Sequence, residues 1–174
     1  MKKTKIVLDA DVIIHFAKGG FLNILPSFLK EYRFVVLDIV KNELRGNILT
    51  QLENQINLLK NIQEVTFGQT SEERKEYARL TSVSGLALGK GESACMVYCR
   101  YNHDVVGSSN TADVTAYCTE HGITYLTTND FLYFGIQRGI ITKEQAIDFI
   151  TDVRSKGSFP PVIDFDTYTC SKLF

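Results

Sequence analysis

Short apolar runs alternate along this chain with segments of helical periodicity, and this alternation constrains the fold more than any other feature. The strand-like runs are residues 5–8, 34–37, 104–106 and 123–127, and segments of helical spacing lie between them. Strands that alternate with helices pair in parallel and are covered by helices on both faces. The sequence therefore predicts an α/β fold, a three-layer sandwich with a central, mainly parallel sheet.

Several helical segments carry their own boundary signals. Residues 94–99 are apolar on every face, which predicts a helix buried in the centre of the domain. Thr142 and Gln145 have the spacing of a capping box and predict a last amphipathic helix that runs to about Lys156. Other helices are predicted at 13–17, at 39–61 with an alternative break near Gly46 and Asn47, from Thr70 onward, at 111–121 and at 131–138, and a glycine-punctuated loop is predicted at 85–91.

Length and composition indicate one globular domain over residues 1–174. The chain is 44% hydrophobic and 22% charged and has 3 prolines, which is not the composition of a disordered segment or a linker. Asp9 and Asp11 interrupt the apolar stretch that would make a signal peptide, and no window reaches membrane-spanning length. We therefore expect a cytoplasmic protein with no membrane association. Because the net charge is −1, any binding of nucleic acid requires a local basic patch.

The 4 cysteines are expected to be reduced, buried thiols. Cys95, Cys99 and Cys118 lie inside apolar helical patterns. A set of metal ligands made of Cys95, Cys99 and His103 is the alternative, but its spacing matches no standard zinc pattern. The pattern favours core packing.

Four acidic residues occupy positions where a parallel sheet gathers functional groups. Asp9 ends the first strand, Glu43 follows the second, Glu92 begins the buried helix and Asp113 follows the strand at 104–106. Ligands of open parallel sheets bind beyond the carboxyl ends of the strands, so we expect these side chains to converge. Clustered carboxylates repel one another, and a hard divalent cation such as Mg²⁺ or Mn²⁺ is the simplest physical reason to tolerate them.

Structural explanations exist for three of the four. The helix dipole stabilises an acidic residue at the position of Glu92, and an N-cap at Asn110 accounts for Asp113 in the same way. A solvated helix face accounts for Glu43. Asp9 follows a buried strand directly, where a structural role needs a dedicated hydrogen-bonding partner. The coincidence of all four indicates metal-dependent hydrolysis of a phosphate ester, in which the metal activates a water molecule.

Four passages together resemble the PIN-domain family of nucleases, over most of the chain from Ile6 to about Pro161. They are VLDADVIIHF, VLDIVKNEL, LGKGESACMVYC and VVGSSNTADV, and the downstream GITYLTTNDFLYFGIQRGIITKEQAIDFI is similar to the family's closing strand and helices. The resemblance implies a Mg²⁺- or Mn²⁺-dependent ribonuclease that cuts single-stranded RNA. It also implies a toxin of a toxin–antitoxin pair, with an antitoxin protein as partner, and a homodimer or higher oligomer.

The resemblance assigns roles to individual residues. Asp9, Glu43, Glu92 and Asp113 match the family's catalytic acidic positions, and Asp9, Glu92 and Asp113 are the expected metal ligands. Many members place an aspartate near Asn110, and Asp113 fits a variant in which Asn is followed three residues later by Asp. Supporting roles are expected for Asp11, Ser108, Asn110 and Asp130, with a helix cap as the alternative for Asp130. Lys41, Arg45 and Lys90 are candidates for nucleic-acid contact.

Two other functions fit parts of the sequence. In one, DADV is the acidic motif of a haloacid-dehalogenase-type phosphatase, with Asp9 as nucleophile and Asp11 as general acid. That motif lacks its usual neighbours here. In the other, the chain is a non-catalytic, PIN-like nucleic-acid-binding module, because Asn110 stands where an acidic residue is common.

Overall fold

The computed structural model describes residues 2–82 and 88–173, and its described strands form one parallel sheet. The strands are β1 (Lys5–Leu8), β2 (Arg33–Leu37), β3 (Ile62–Val65), β4 (Val105–Gly107) and β5 (Tyr125–Leu126). Their order across the sheet is β3-β2-β1-β4-β5, and every neighbouring pair is parallel. The predicted parallel sheet is confirmed, although the last strand is shorter than the apolar run at 123–127.

Helices cover both faces of this sheet, as the three-layer prediction required. The helices are α1 (Ala10–Lys18), α2 (Leu25–Phe28), α3 (Asp38–Lys41), α4 (Gly46–Asn54), which continues as a π-helical turn (Gln55–Leu59), α5 (Ser71–Ser82), α6 (Lys90–Asn102), α7 (Thr111–Glu120), α8 (Thr128–Gln137) and α9 (Lys143–Ser155). On one face α1 contacts α4, α8 and α9, and α2 contacts α8. On the other face α6 contacts α3, α5 and α7.

The predicted boundary signals act where they were expected. Thr142 accepts a hydrogen bond from the Gln145 N–H, and the Gln145 side chain accepts one from the Thr142 N–H, which completes the capping box of α9. The segment 39–61 breaks into two helices, because the chain leaves α3 at Lys41 and re-enters a helix at Gly46. Residues 85–87 of the predicted glycine loop lie outside the described residues.

The core places α6 at its centre. Residues 91–99 of this helix are all buried, which confirms the prediction from its apolar faces. An aromatic cluster fills the opposite face, where the ring of Phe16 meets those of Phe28 and Phe131 edge-on at 6.2 and 6.0 Å. The cysteines at 95, 99, 118 and 170 are buried and unbridged, as expected. Within the described ranges, no helix is long and apolar enough to span a membrane.

Candidate active site

The strand order reverses beside β1, and this creates a crevice at the carboxyl edge of the sheet. The chain moves from β1 outward to β2 and β3, then returns to the other side of β1 to form β4. Loops leaving β1 and β4 therefore diverge, which is where open α/β sheets bind ligands. Asp9 follows β1, Ser108 follows β4, and the Asp9 N–H donates to the Gly107 carbonyl at 2.8 Å.

One cavity of about 340 Å³ occupies this crevice, and all four predicted carboxylates line it. Each comes from a different part of the fold: the end of β1, the turn after α3, the first turn of α6 and the first turn of α7. Asp11 and Asn110 line the same cavity. The lining carboxylates are Asp9, Asp11, Glu43, Glu92 and Asp113. The expected convergence is therefore observed, and the catalytic role remains a prediction.

Asp9 is buried at the N-terminus of α1, where few hydrogen bonds stabilise its charge. It caps the helix by accepting a hydrogen bond from the Ala10 N–H at 2.8 Å, and the Ser108 hydroxyl donates to its other oxygen at 3.4 Å. Burial and the charge of Asp11 together raise the pKa of Asp9 to about 7, against the opposing hydrogen bond from the Ala10 N–H. No dedicated cationic partner meets this carboxylate among the described residues.

Glu92 is the second buried carboxylate, and its environment is equally unfavourable to charge. Burial raises the pKa of Glu92 to about 8, and the nearby charges of Asp9 and Asp113 add to that effect. A hydrogen bond with Asp113 raises it as well, because the protonated form of Glu92 is the one that can donate. Without a metal, the protonated form of Glu92 is therefore favoured relative to a solvated glutamate.

Glu43 enters the cavity from an exposed turn and is fixed by the backbone of α6. The Gly91 N–H donates to Glu43 Oε1 at 2.8 Å. A Cβ at position 91 would lie 2.7 Å from Oε2 and 2.8 Å from Oε1 of Glu43, so only glycine permits this approach. The Gly-Glu pair at 91–92 therefore supplies two things, a seat for Glu43 and the carboxylate of Glu92.

The remaining polar lining comes from Asp11 and from the start of α7. Asp11 accepts hydrogen bonds from the Val12 and Ser109 N–H groups at 2.7 and 2.8 Å. Burial nevertheless raises the pKa of Asp11. The Asn110 side chain donates to Asp113 Oδ2 at 2.9 Å. The amide of Asn110 therefore orients the carboxylate of Asp113, three residues later.

The oxygen atoms that line the cavity are of the kind that bind a hard divalent cation, but they are not close enough together to coordinate one as they stand. All the polar side chains lining the cavity end in carboxylate or amide oxygens, the ligands that Mg²⁺ and Mn²⁺ take, and a cation would relieve the repulsion that raises the pKa values. In the part of the chain that the structure describes, no three His, Cys, Asp or Glu side chains are arranged to hold a metal ion as they stand. Glu43 is exposed and Asp113 is half-buried, whereas Asp9 and Glu92 are buried.

Asp130 does not line the cavity, and its observed role is the helix cap that was the alternative interpretation. It completes a capping box with Thr127 at the start of α8. Its oxygens also accept hydrogen bonds from the Tyr168 hydroxyl at 2.6 Å and from Lys172 Nζ at 2.7 Å. Asp130 therefore anchors the C-terminal residues to α8.

Two of the three predicted nucleic-acid contacts are engaged within the protein. Lys41 Nζ lies 2.8 Å from Glu64 Oε2, and the Arg45 guanidinium donates to the carbonyls of Asn42 and Leu44. Lys90 is exposed at the first residue of α6, beside the cavity. The cationic environment predicted around the carboxylates is therefore sparse.

Sequence reasoning missed the polar network behind Asp11. His15 Nδ1 lies 2.7 Å from the Thr128 hydroxyl, which accepts a hydrogen bond from Ser109 Oγ at 2.7 Å, and the Ser109 N–H is the group that holds Asp11. The Thr128 hydroxyl thus lies between Ser109 and His15. Burial lowers the pKa of His15 to about 4. A histidine on the buried face of α1, four residues after Asp11, was the available signal.

No family model matches this chain, and a search of curated proteins returns no match either.

Proposed function

We propose that this protein is a Mg²⁺- or Mn²⁺-dependent endoribonuclease that cleaves single-stranded RNA at the carboxylate cavity. One observation carries the proposal: five carboxylates from separate elements share one cavity at the switch point of the sheet. None of them pairs with a Lys or Arg side chain among the described residues. The similarity to PIN-domain nucleases in the sequence motifs supports the same function.

The chain's own residues would divide the work. Asp9, Glu92 and Asp113 would hold the cation, and Glu43 would complete the acidic wall from its seat on the Gly91 N–H. A bound divalent cation supplies activation of the attacking water and neutralisation of charge on the phosphoryl oxygens. Asp11 and Asn110 orient the wall through hydrogen bonds to Ser109 N–H and Asp113.

The decisive experiment uses labelled single-stranded RNA with Mn²⁺ and compares the wild type with Glu92→Gln. The proposal predicts cleavage by the wild type and a loss of at least about 100-fold in the variant, because a single catalytic group of this type contributes that much or more. Asp166→Asn is the matched control, since it removes a carboxylate outside the cavity, where Asp166 pairs with Lys143 on the surface. Equal cleavage by wild type and Glu92→Gln would point to a contaminating nuclease.

The same assay separates the alternative functions. A haloacid-dehalogenase-type phosphatase would hydrolyse a small phosphomonoester and leave internal RNA bonds intact. A non-catalytic module would bind RNA without shortening it. We further propose a cytoplasmic toxin that forms homo-oligomers and is held inactive by an antitoxin protein. Growth arrest on expression, relieved by Glu92→Gln, tests whether the protein is a toxin. Sedimentation of the purified chain tests whether it forms homo-oligomers.

A further inference from the structure

A second cleft lies at the amino edge of the sheet, and its charge is opposite to that of the carboxylate cavity. We call it the basic cleft and define it by Lys3, Asn23, Lys30, Tyr32, Arg33 and Asn61, which line a space of about 400 Å³. Three of its lining residues are cationic and none is acidic. In a chain with a net charge of −1, this is a local concentration of positive charge.

The cleft and the cavity lie at the two ends of the same strands. Lys3 precedes β1, Arg33 opens β2 and Asn61 precedes β3. Parallel strands begin at one edge of a sheet and end at the other, so strands of this length separate the two sites by about 15 Å. The basic cleft is therefore distinct from the carboxylate cavity.

Two of the three cations of the cleft, Lys30 and Arg33, remain available to a ligand, whereas Lys3 Nζ donates to the Lys30 carbonyl. Among the described residues, the side chains of Lys30 and Arg33 make no hydrogen bond or ion pair. The adjacent carboxylate of Glu31 pairs with Arg138, and it forms no ion pair with Lys30 or Arg33. Lys41, by contrast, is neutralised by Glu64 at 2.8 Å.

The carboxylate cavity itself creates the need for such a surface. Without a bound cation its carboxylates repel phosphate groups, and neither the net charge nor the engaged Lys41 and Arg45 offsets that repulsion. Affinity for a polyanion is dominated by contacts between cations and phosphates. The basic cleft supplies such cations, and half-buried Tyr32 adds an aromatic side chain of the kind on which unpaired bases stack.

We propose that the basic cleft binds single-stranded RNA through its phosphates and one stacked base. The strand is then bound at a second site, about 15 Å from the carboxylate cavity. The class of ligand rests on the proposed ribonuclease function. Lys30 and Arg33 contact phosphates, and Tyr32 stacks on a base. Base stacking distinguishes this ligand from an acidic protein segment, which would use the same cations without the ring.

The test is fluorescence anisotropy of a labelled single-stranded RNA over a series of salt concentrations, in EDTA so that cleavage does not intervene. Lys30→Gln/Arg33→Gln is compared with Lys75→Gln/Lys143→Gln, which removes the same charge outside the cleft, at exposed Lys75 and half-buried Lys143. The cleft variant should lower the slope of log affinity against log salt by about 1.4, at about 0.7 for each lost phosphate contact. The control variant should leave the slope unchanged.

Tyr32 provides a second, independent measurement. Tyr32→Leu should weaken binding about tenfold at fixed salt, and Tyr32→Phe should restore it, because stacking needs the ring and not the hydroxyl. Thermal unfolding of each variant checks that it folds. Absence of RNA binding by the wild type, or equal effects of the cleft and control variants, overturns the proposal. Equal displacement by polyglutamate together with no effect of Tyr32→Leu assigns the cleft to an acidic protein instead.

The outcome is independent of catalysis. If Glu92→Gln abolishes cleavage while the cleft variants bind RNA normally, the ribonuclease proposal survives and the cleft proposal fails. If the cleft binds RNA but the wild type cleaves nothing with Mn²⁺, the cleft proposal survives and the ribonuclease proposal fails.

Discussion

Asp130 and the pair Asp9 and Glu92 are buried carboxylates in two regions of one molecule, and their environments are opposite. Burial alone would raise the pKa of Asp130, but hydrogen bonds from Lys172, the Thr127 N–H and Tyr168 hold that pKa below its usual range. Asp9 and Glu92 have pKa values raised to about 7 and about 8 by burial and by other carboxylates. A carboxylate that serves the fold is surrounded by donors, whereas those in the cavity lack a positive partner that a cation could supply.

Removing the Asp130 anchor should produce the largest loss of stability. Asp130→Asn leaves Lys172 without its partner and sets an amide against the donors that the carboxylate satisfied. We expect a loss of about 2 to 3 kcal/mol in the free energy of unfolding, measured in urea, because a buried carboxylate that accepts hydrogen bonds from three groups is replaced, while Lys172 itself is exposed. Asp166→Asn is the control, since Asp166 pairs with Lys143 on the surface and its loss should cost less than about 1 kcal/mol. Equal effects of the two variants would contradict the comparison.

The charges of the cavity carboxylates should lower the stability of the metal-free protein, whereas the charge of Asp130 raises it. In EDTA, folded Asp9 and Glu92 keep protons that the unfolded chain has already released at pH 5 to 7, because their folded pKa values are raised. Stability from this source is present below the unfolded pKa and is lost as the pH rises through about 7 and about 8. We expect the metal-free wild type to be about 2 kcal/mol less stable at pH 8 than at pH 5.

Neutral variants should remove that dependence on pH. Asp9→Asn and Glu92→Gln should each flatten the decline and be at least as stable as the wild type at pH 8 in EDTA. The measurement is urea unfolding at both pH values. A wild type that gains stability between pH 5 and pH 8 would show that the cavity carboxylates are satisfied after all.

Gly91→Ala separates the site from the fold. A Cβ at this position meets the Glu43 carboxylate at 2.7 Å, so Glu43 must leave its seat. Replacing glycine by alanine in a helix raises stability by up to about 1 kcal/mol, so we expect unchanged or increased stability together with about tenfold weaker Mn²⁺ binding. In a Glu43→Gln background the same substitution should have no further effect on binding. Additive losses would show that Gly91 acts by another route.

The smallest effect is expected behind Asp11. Thr128→Val removes the hydroxyl between His15 and Ser109 and should cost about 1 to 2 kcal/mol in urea unfolding, since two buried groups lose a partner. Thr128→Ser keeps the hydroxyl and should restore most of that stability. No difference between the two variants would show that the hydroxyl contributes nothing.

The parallel sheet and the convergence of Asp9, Glu43, Glu92 and Asp113 could be predicted because period, burial and strand ends are local properties of sequence. The donors around Asp130 could not, since Tyr168 and Lys172 come from a C-terminal segment with no periodic pattern. The basic cleft also escaped prediction. Its cations are dispersed along the chain and meet only because parallel strands share an amino edge.

Calorimetric titration of Mn²⁺ into wild type and Asp9→Asn at pH 7, in two buffers of different ionisation enthalpy, tests the central claim most directly. The wild type should bind Mn²⁺ and release about one proton per chain, because Asp9 and Glu92 must give up protons to become ligands. Asp9→Asn should show no binding, and Asp166→Asn, which removes a surface carboxylate outside the cavity, should bind like the wild type. A wild type that takes up no Mn²⁺, or an Asp9→Asn variant that binds it equally, would contradict a metal centre in the carboxylate cavity.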